Sequence, residues 1–378
     1  MRILLAPDKF RGSLSALSVC QALSAGMKSR MPDSEFISFP LADGGEGMSE
    51  ILTYHTGGRR VSVYARDPLG RRIQAAYGLS SDGSTAFIEM AEASGLHRLD
   101  PRERDVMKTT SVGTGDLILH AIESGVRHVL LGIGGSATND GAVGAAHALG
   151  YRFYNTQGEP FLPVGGNLVS VARIESSQVH PALRDTEFIA LCDVDNPFTG
   201  PSGAAYVYGP QKGASPEQVE QLDAGLKQLA TRFFNDLGFD VGTLPGAGGG
   251  GGFGGGAAAF FNAILRPGVD VIFEYTGFEE QVRRADVVIT GEGKLDRQTL
   301  SGKVVAGVAR VANLYDKPVI GVTGVNELTP PQLKELNLTG VFSIVDAAGQ
   351  DDPFQKASLI LKRIGAERIL PLLAGLHN

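Results

Sequence analysis

Cysteine is scarce in this sequence of 378 residues, where Cys20 and Cys192 are the only two. Both lie in apolar stretches, so a disulfide framework and a clustered zinc site are excluded, and both side chains are expected to pack as small hydrophobic groups. The apolar run at residues 3–6 meets Pro7 and is too short for a signal peptide. We therefore expect the protein to stay in the cytoplasm.

Positive charge is in the minority, with 34 Lys and Arg against 41 Asp and Glu and a net charge of -7. An excess of negative charge gives no attraction to a nucleic-acid backbone or an anionic membrane surface. The composition, 43% hydrophobic and 20% charged, is typical of a soluble globular protein. We therefore expect a small-molecule substrate and no nucleic-acid or membrane partner; the oligomeric state is not readable from the sequence.

Glycine is abundant instead, with 51 residues. Many glycines follow short apolar runs rich in β-branched residues, a pattern typical of buried parallel strands followed by sharply bent loops. Helical spacing follows several of these runs, and this alternation predicts an α/β fold. The runs occupy residues 3–6, 129–133, 188–192, 287–289, 319–322 and 341–345.

Predicted helices and a predicted antiparallel meander indicate how the chain is divided into domains. A helix is predicted after Ser13, as its N-cap, and a second over residues 216–237, which begins with a capping box and ends before Gly238. Residues 61–90 alternate in the manner of an antiparallel meander. This meander predicts a second α/β domain over residues 66–284, inserted into a discontinuous domain of residues 1–65 and 285–378.

Acidic residues occur in several glycine-flanked loops, which are expected at the carboxyl ends of the strands, where ligands bind in open α/β sheets. For each of them alone, an ordinary turn or helix cap is the better explanation. Together they indicate a site for a metal or a proton acceptor. The carboxylates concerned are Asp8, Asp43, Glu46, Asp140, Asp193, Asp195, Glu292 and Asp296.

Phosphate binding is predicted at Gly134, Gly135 and Ser136, which lie between a strand and the helix expected after Gly141. The same stretch fits a dinucleotide fingerprint, but the ribose-binding acid expected about 20 residues later is missing. No P-loop motif occurs. The glycine tract at residues 246–256 is consistent with a mobile loop, a close approach of two backbones, or a flap over phosphates, followed by a helix over residues 257–265.

These loops resemble, in order along nearly the whole chain, those of the type-1 glycerate kinases. The most specific matches are the Ser-Ala-Thr-Asn-Asp sequence at residues 136–140 and the Pro-Gln-Lys-Gly sequence at residues 210–213. The resemblance implies a cytosolic, ATP-dependent and Mg²⁺-dependent kinase that phosphorylates D-glycerate, with the 2-hydroxyl as the expected acceptor. It also implies a cleft between a flavodoxin-like domain and a second α/β domain. The sequence departs from the family in Arg11, in Lys294 and in its almost pure glycine tract.

On this interpretation Asp8 or Asp193 accepts a proton, Asp193 and Glu292 hold Mg²⁺, and Lys294 offsets developing charge. Two alternatives are a binding protein for an anionic metabolite and an NAD-linked oxidoreductase. Asp193 has an alternative role of its own, as a cap at a strand end. The expected substrate-binding and phosphate-binding residues are Lys9, Ser13, Asp43, Glu46, Gly134, Gly135, Ser136, Asn139 and Lys212.

Overall fold

The structure is a computed structural model that describes residues 1–300 and 302–375. The chain forms two compact units. The first unit consists of Met1–Asp43 and the chain from Val269 onward, and the second consists of Gly44–Gly268. Both boundaries lie earlier than the predicted ones near residues 65 and 284. One reason is that the strand Arg59–Arg66 pairs antiparallel with Arg72–Leu79 and so belongs entirely to the second unit.

The first unit contains a five-stranded sheet in which every pairing is parallel. Its spatial order is β14-β13-β12-β1-β2. The strands are β1 (Arg2–Pro7), β2 (Glu35–Ser38), β12 (Val287–Leu295), β13 (Val319–Asn326) and β14 (Gly340–Ser343). The helices are α1 (Ala16–Lys28), α9 (Gly268–Thr276), α10 (Phe278–Arg284), α11 (Arg297–Leu300), α12 (Val304–Asn313), α13 (Pro330–Glu335), α14 (Ile344–Ala347), α15 (Ala357–Ile364) and α16 (Leu370–Gly375), with a π-helix at Gly365–Ile369.

The second unit is built on a six-stranded sheet in the order β11-β10-β6-β5-β4-β3. The first four strands in this order are parallel, and β5, β4 and β3 form the antiparallel meander that the sequence predicts. A small sheet has the order β8-β7-β9. The strands are β3 (Arg59–Arg66), β4 (Arg72–Leu79), β5 (Thr85–Glu89), β6 (His128–Gly132), β7 (Arg152–Tyr154), β8 (Pro160–Phe161), β9 (Arg173–Glu175), β10 (Glu187–Leu191) and β11 (Ile264–Arg266).

Helices in the second unit cover the sheet and follow the loops that carry candidate site residues. They are α2 (Met48–His55), α3 (Ala91–Ser94), α4 (Val112–Glu123), α5 (Val143–Ala148), α6 (Ala204–Tyr208), α7 (Pro216–Arg232) and α8 (Gly249–Phe261). Short 3₁₀ segments lie at Leu96–Arg98, Pro101–Glu103, Gly165–Ser170, Pro181–Asp185 and Pro210–Lys212, and a π-helix at Phe233–Leu237. No helix among the described residues combines the length and the apolar character that a membrane span requires.

Two predicted helix starts can be compared with the observed ones. In α7 the predicted capping box is present, because Ser215 Oγ accepts from Gln218 N and Gln218 Oε1 accepts from Ser215 N. In α1 the predicted cap was wrong by two residues. Ser15, not Ser13, accepts the N–H of Ser18, while Ser13 Oγ donates to the carbonyl of Phe354. The helix itself is confirmed, and its apolar residues Ala16, Cys20, Leu23 and Met27 are buried.

The glycine tract is a buried, folded part of the second unit. Residues 250–252 all adopt left-handed backbone angles inside α8, with φ between 66° and 83°. At Gly251 an added Cβ would lie 2.0 Å from the carbonyl oxygen of Thr138. Of the three predicted interpretations, the close approach of two backbones is the one observed. The predicted helix over 257–265 was misplaced, because α8 spans Gly249–Phe261 and Ile264–Arg266 is a strand.

Candidate active site

Two carboxylates of the first unit lie where β1 ends beside β12. Pro7 on β1 is in register with Gly291 on β12, so Asp8 and Glu292 follow directly at adjacent positions. The backbone N–H of Asp8 donates to the carbonyl of Gly291 at 2.7 Å. Both side chains are buried, at 8% and 6% exposure. Asp43 follows β2 and interacts electrostatically with both.

Burial makes these carboxyl groups hold their protons unusually well. Desolvation, together with the neighbouring charges of Asp43 and Glu292, raises the pKa of Asp8 to about 8. Desolvation also raises the pKa of Glu292 to about 7, although the hydroxyl of Thr299 donates to Glu292 at 2.6 Å and Lys303 adds a favourable charge. Both groups therefore titrate close to neutral pH, which is a property of general acids and bases.

The cations predicted for this part of the site are more exposed than the carboxylates. Lys294 lies on β12, with its side chain 49% exposed, and its ammonium group is 2.8 Å from Glu327 and 3.9 Å from Asp296. The hydrogen bond to Glu327 raises the pKa of Lys294. Lys9 directly follows Asp8, and its backbone N–H donates to the carboxylate of Asp8 at 2.6 Å. Lys294 is thus already paired with carboxylates of the protein.

In the second unit, the loop after β6 carries the predicted phosphate-binding residues. Gly134 and Gly135 are exposed in a turn, while Ser136 is buried. The helix expected after Gly141 is confirmed, because α5 begins at Val143. The turn at Gly134 and Gly135 is therefore separated from α5 by several residues. The same distance argues against a dinucleotide fingerprint, in which the glycines must open the helix.

The N–H groups at the start of α5 are occupied by a side chain of the protein. Asp140 is fully buried and accepts from the backbone N–H groups of Ala142 and Gly144, each at 3.3 Å. It also accepts from the N–H and the hydroxyl of Ser111, each at 2.8 Å. Desolvation raises the pKa of Asp140 despite these bonds. Asp140 therefore caps helices α4 and α5 and leaves no helix terminus here for a phosphate.

Lys212 is a buried cation that joins three loops of the second unit. It is 3% exposed, and its Nζ donates to Ser136 Oγ at 2.9 Å and to the carbonyl of Thr138 at 2.6 Å. The hydroxyl of Ser136 donates in turn to the carbonyl of Gly250 at 3.0 Å. Desolvation lowers the pKa of Lys212 to about 7, and the charge of Asp140 opposes this shift. An ammonium group has three N–H bonds, and the third has no partner among the described residues.

Asn139, which follows Thr138 in the chain, has an unpaired side chain among the described residues. It is completely buried, and within residues 1–300 and 302–375 neither its Nδ2 nor its Oδ1 has a hydrogen-bond partner. The hydroxyl of Thr138 is also buried without a partner in the same part of the chain. Unsatisfied buried polar groups are uncommon, and each normally reflects a water molecule, an ion or a ligand.

Asp193 accepts a backbone hydrogen bond that its predicted catalytic role did not include. It follows β10, and its Oδ1 accepts from the backbone N–H of Gly268 at 2.7 Å, at the first residue of α9. This is the bond expected of the alternative role as a cap. Asp195, the second acid of the pair, is exposed.

Glu89 is a buried acid at this edge of the sheet that the sequence did not single out. It ends β5 and is in register with Gly132 at the end of β6. Its carboxylate accepts from the N–H groups of Gly47 and Ser49, which follow the exposed Glu46. The only sequence signal was its position as the last residue of a strand, and no glycine-flanked loop marks it.

The predicted Mg²⁺ ligands are divided between the units, with Glu292 in the first and Asp193 in the second. In the part of the chain that the structure describes, no group of three or more His, Cys, Asp or Glu side chains is arranged to hold a metal ion. The carboxylate oxygens present are nonetheless of the type that Mg²⁺ prefers. This ion is commonly bound by one or two carboxylates together with substrate phosphates, so a larger cluster is not required.

Comparison with known proteins agrees with these observations. Residues 3–373 match the family described as the glycerate kinase family. Glycerate 2-kinase of Escherichia coli (strain K12) is 40% identical over 379 residues, covering 100% of both chains. Glycerate kinase of Bacillus cereus (strain ATCC 10987 / NRS 248) is 43% identical and covers 91% of this chain and 90% of the relative. A crystal structure assigned as glycerate kinase 2 from Salmonella typhimurium LT2 is 43% identical, with a TM-score of 0.90 and full coverage of both chains. The chain belongs to the glycerate kinase family.

Proposed function

We propose that this protein transfers the γ-phosphoryl group of ATP to the 2-hydroxyl of D-glycerate, giving 2-phosphoglycerate and ADP. The observation that carries the proposal is its full-length similarity to a relative named glycerate 2-kinase. The hydroxyl oxygen forms a bond to the γ-phosphorus, the bond from that phosphorus to ADP breaks, and the proton of the hydroxyl passes to a base. Because the reaction consumes ATP, we propose the cytoplasm as its location.

We propose Asp8 as the group that accepts this proton. Its pKa of about 8 is close to neutral pH, and a pKa in this range favours general base catalysis. Its burial beside Asp43 and Glu292 supports the same role, since perturbed carboxyl groups cluster at catalytic sites. Asp193 is the second candidate, but one of its oxygens already accepts the N–H of Gly268.

Several residues are proposed to bind the anionic groups of the substrates. Gly134 and Gly135 offer exposed backbone in a turn, and Lys212 and Asn139 offer a buried N–H and an unpaired amide. A buried ammonium group whose direct partners are neutral oxygens is electrostatically suited to an anion. Lys294 is proposed to offset charge on the transferred group, in competition with Glu327. The remaining proposed binding residues are Lys9, Ser13, Asp43, Glu46 and Ser136.

Mg²⁺ is proposed to accompany ATP. Glu292 is the better supported ligand, because desolvation destabilises its buried carboxylate and a bound cation would offset that cost. Asp193 remains a second proposed ligand on the basis of the family resemblance. When bound, Mg²⁺ supplies neutralisation of charge on the phosphate oxygens.

We also propose a fold type for the first unit. Counted within the first unit, the sheet order reads 2-1-3-4-5, which is the order of flavodoxin-like folds. This supports a flavodoxin-like domain into which the second unit is inserted. In such open sheets the ligand binds beyond the carboxyl ends of the strands. Asp8 and Glu292 lie at this edge.

The test is an ADP-release assay of the purified protein with ATP, Mg²⁺ and a series of small hydroxy acids. We expect turnover with D-glycerate and little with glycolate or lactate, which each lack one of the functional groups of glycerate. No turnover with glycerate, or equal turnover with all three acids, contradicts the proposal. Phosphorus NMR of the product then separates 2-phosphoglycerate from 3-phosphoglycerate, and the 3-isomer would correct the proposed acceptor.

A further inference from the structure

Glu89 is a buried carboxylate at the carboxyl edge of the second sheet that the proposed mechanism does not use. It is 7% exposed, although it ends a strand beside exposed loops. Its Oε1 accepts two backbone N–H groups, from Gly47 at 3.0 Å and from Ser49 at 2.9 Å. Charge-assisted bonds of this kind to a helix start are among the stronger hydrogen bonds in proteins.

The two N–H groups belong to the start of α2, which has no cap of its own. Its N-cap residue is Gly47, which has φ of 92° and no side chain to accept these N–H groups. Glu89 supplies the missing acceptor from another element. Ser49 is attached to the sheet independently, because its hydroxyl donates to the carbonyl of Phe87 at 2.8 Å and accepts the N–H of Gly78 at 2.9 Å.

The segment that Glu89 holds is the loop Gly44–Gly47, which follows Asp43 and contains Glu46. The beginning of this loop is fixed by close packing, since a Cβ on Gly44 would lie 2.6 Å from the Cα of Gly268. The end of the loop is fixed by the bond from Gly47 to Glu89. The loop is therefore packed at its beginning and hydrogen-bonded to the Glu89 carboxylate at its end.

We propose that Glu89 is a positioning residue that holds the Gly44–Gly47 loop in the arrangement required for substrate binding. It acts through the backbone of Gly47 and does not itself contact the substrate. The proposal rests on the proposed function, in which Asp43 and Glu46 bind substrate.

Four variants separate this role from general stabilisation of α2. Glu89→Ala removes the acceptor, and Glu89→Asp retracts it with a smaller loss of stability. Glu89→Gln keeps an oxygen in the same place. Ser49→Ala removes the other anchor of α2 and leaves the bond between Glu89 and Gly47 intact, so it is the matched control.

The first measurement is amide hydrogen exchange of a peptide covering residues 43–49. We expect exchange about tenfold faster in Glu89→Ala and Glu89→Asp, because the protecting bond of Gly47 is lost. We expect near wild-type exchange in Glu89→Gln. The second measurement is kcat/KM for D-glycerate, which should fall about tenfold in Glu89→Ala and only slightly in Glu89→Gln and Ser49→Ala.

Wild-type exchange in both Glu89→Ala and Glu89→Asp overturns the proposal. So does faster exchange with unchanged kcat/KM, and so does a Ser49→Ala variant as impaired as Glu89→Ala. A wild-type protein that does not phosphorylate glycerate refutes the proposed function instead. In that case the exchange rates still decide whether Glu89 fixes the loop.

Discussion

At the scale of single residues, the structure separates side chains that share a loop but face different environments. Ser136 uses its hydroxyl to connect Lys212 with Gly250, so its donor is already committed. Asn139, three residues later, has both side-chain atoms unpaired among the described residues. Within this predicted binding loop, Asn139 is therefore the stronger candidate for a direct ligand contact, and Ser136 for a supporting role.

Asp193 has two proposed roles, a catalytic one as metal ligand or proton acceptor and a structural one as a cap at a strand end. The two roles predict different effects of substitution. Asp193→Asn keeps an oxygen that can accept the N–H of Gly268, so we expect a change of less than about 1 kcal/mol in the free energy of unfolding. The lost charge should nevertheless lower kcat about 100-fold if Asp193 holds the metal or takes a proton. Steady-state kinetics and chemical denaturation of the same purified variant measure both quantities.

The control for this prediction is Asp195→Asn, which changes the neighbouring exposed acid and should have a milder effect on kcat. Near-normal kcat in Asp193→Asn would remove Asp193 from the reaction. The bond to Gly268 would then be its main role.

At the scale of elements, hydrophobic runs were the most informative part of the sequence. The six predicted strands all occur, because buried parallel strands need continuous apolar segments. The run at residues 341–345 ends early, since the hydroxyl of Ser343 accepts the N–H of Asp346 and starts α14. Such local competition between a strand and a helix cap is not visible in hydrophobicity alone.

The candidate site could be predicted only in loops whose composition, an acidic residue among glycines, indicates a binding site. Glu292 lies between two glycines and Asp8 lies in a loop that contains Gly12, and the structure brings the two acids to adjacent positions on neighbouring strands. Glu89 was missed because its partners, Gly47 and Ser49, are about 40 residues away and are backbone groups without a sequence signature. The helix after Gly141 was predicted, but the capping of its N–H groups by the buried Asp140 depends on tertiary packing.

Two glycines, Gly251 inside the glycine tract and Gly238 outside it, separate the effect of backbone angle from the effect of steric space. Gly251 combines φ of 77° with a neighbouring carbonyl that leaves no room for a Cβ, whereas Gly238 has φ of 71° in open space. We expect Gly238→Ala to cost about 1 kcal/mol for its backbone angle alone. Gly251→Ala should cost about 3 kcal/mol or more, because Thr138 must also move.

Urea denaturation of the two variants tests this difference. The comparison isolates the steric effect, since the two glycines have similar backbone angles. Equal losses of stability in the two variants would show that the tract is chosen for its backbone conformation and not for the close approach of Thr138.

At the scale of the whole molecule, buried charges make stability depend on pH. Asp8 and Glu292 have raised pKa values, so between about pH 4 and pH 8 the folded protein holds protons that the unfolded chain has released. The stability that these groups contribute is lost as the pH rises through 7 and 8. Lys212 behaves in the opposite way, because its lowered pKa makes stability rise between about pH 7 and pH 10.5. The combined cost of the three groups is therefore largest near neutral pH.

Replacing Asp8 with a neutral side chain should remove the contribution of Asp8 to the pH dependence of stability. We expect Asp8→Asn to raise the unfolding midpoint of the ligand-free protein more at pH 8 than at pH 5, because the cost of the buried carboxyl grows with pH up to its pKa of about 8. The same variant should lose kcat if Asp8 accepts the proton of the hydroxyl. Thermal unfolding at both pH values provides the measurement.

Asp33→Asn, which changes an exposed acid of the same unit, should show no such difference. An equal shift at pH 5 and pH 8 in Asp8→Asn would mean that burial does not control the protonation of Asp8, and its proposed role as the base would lose its electrostatic support.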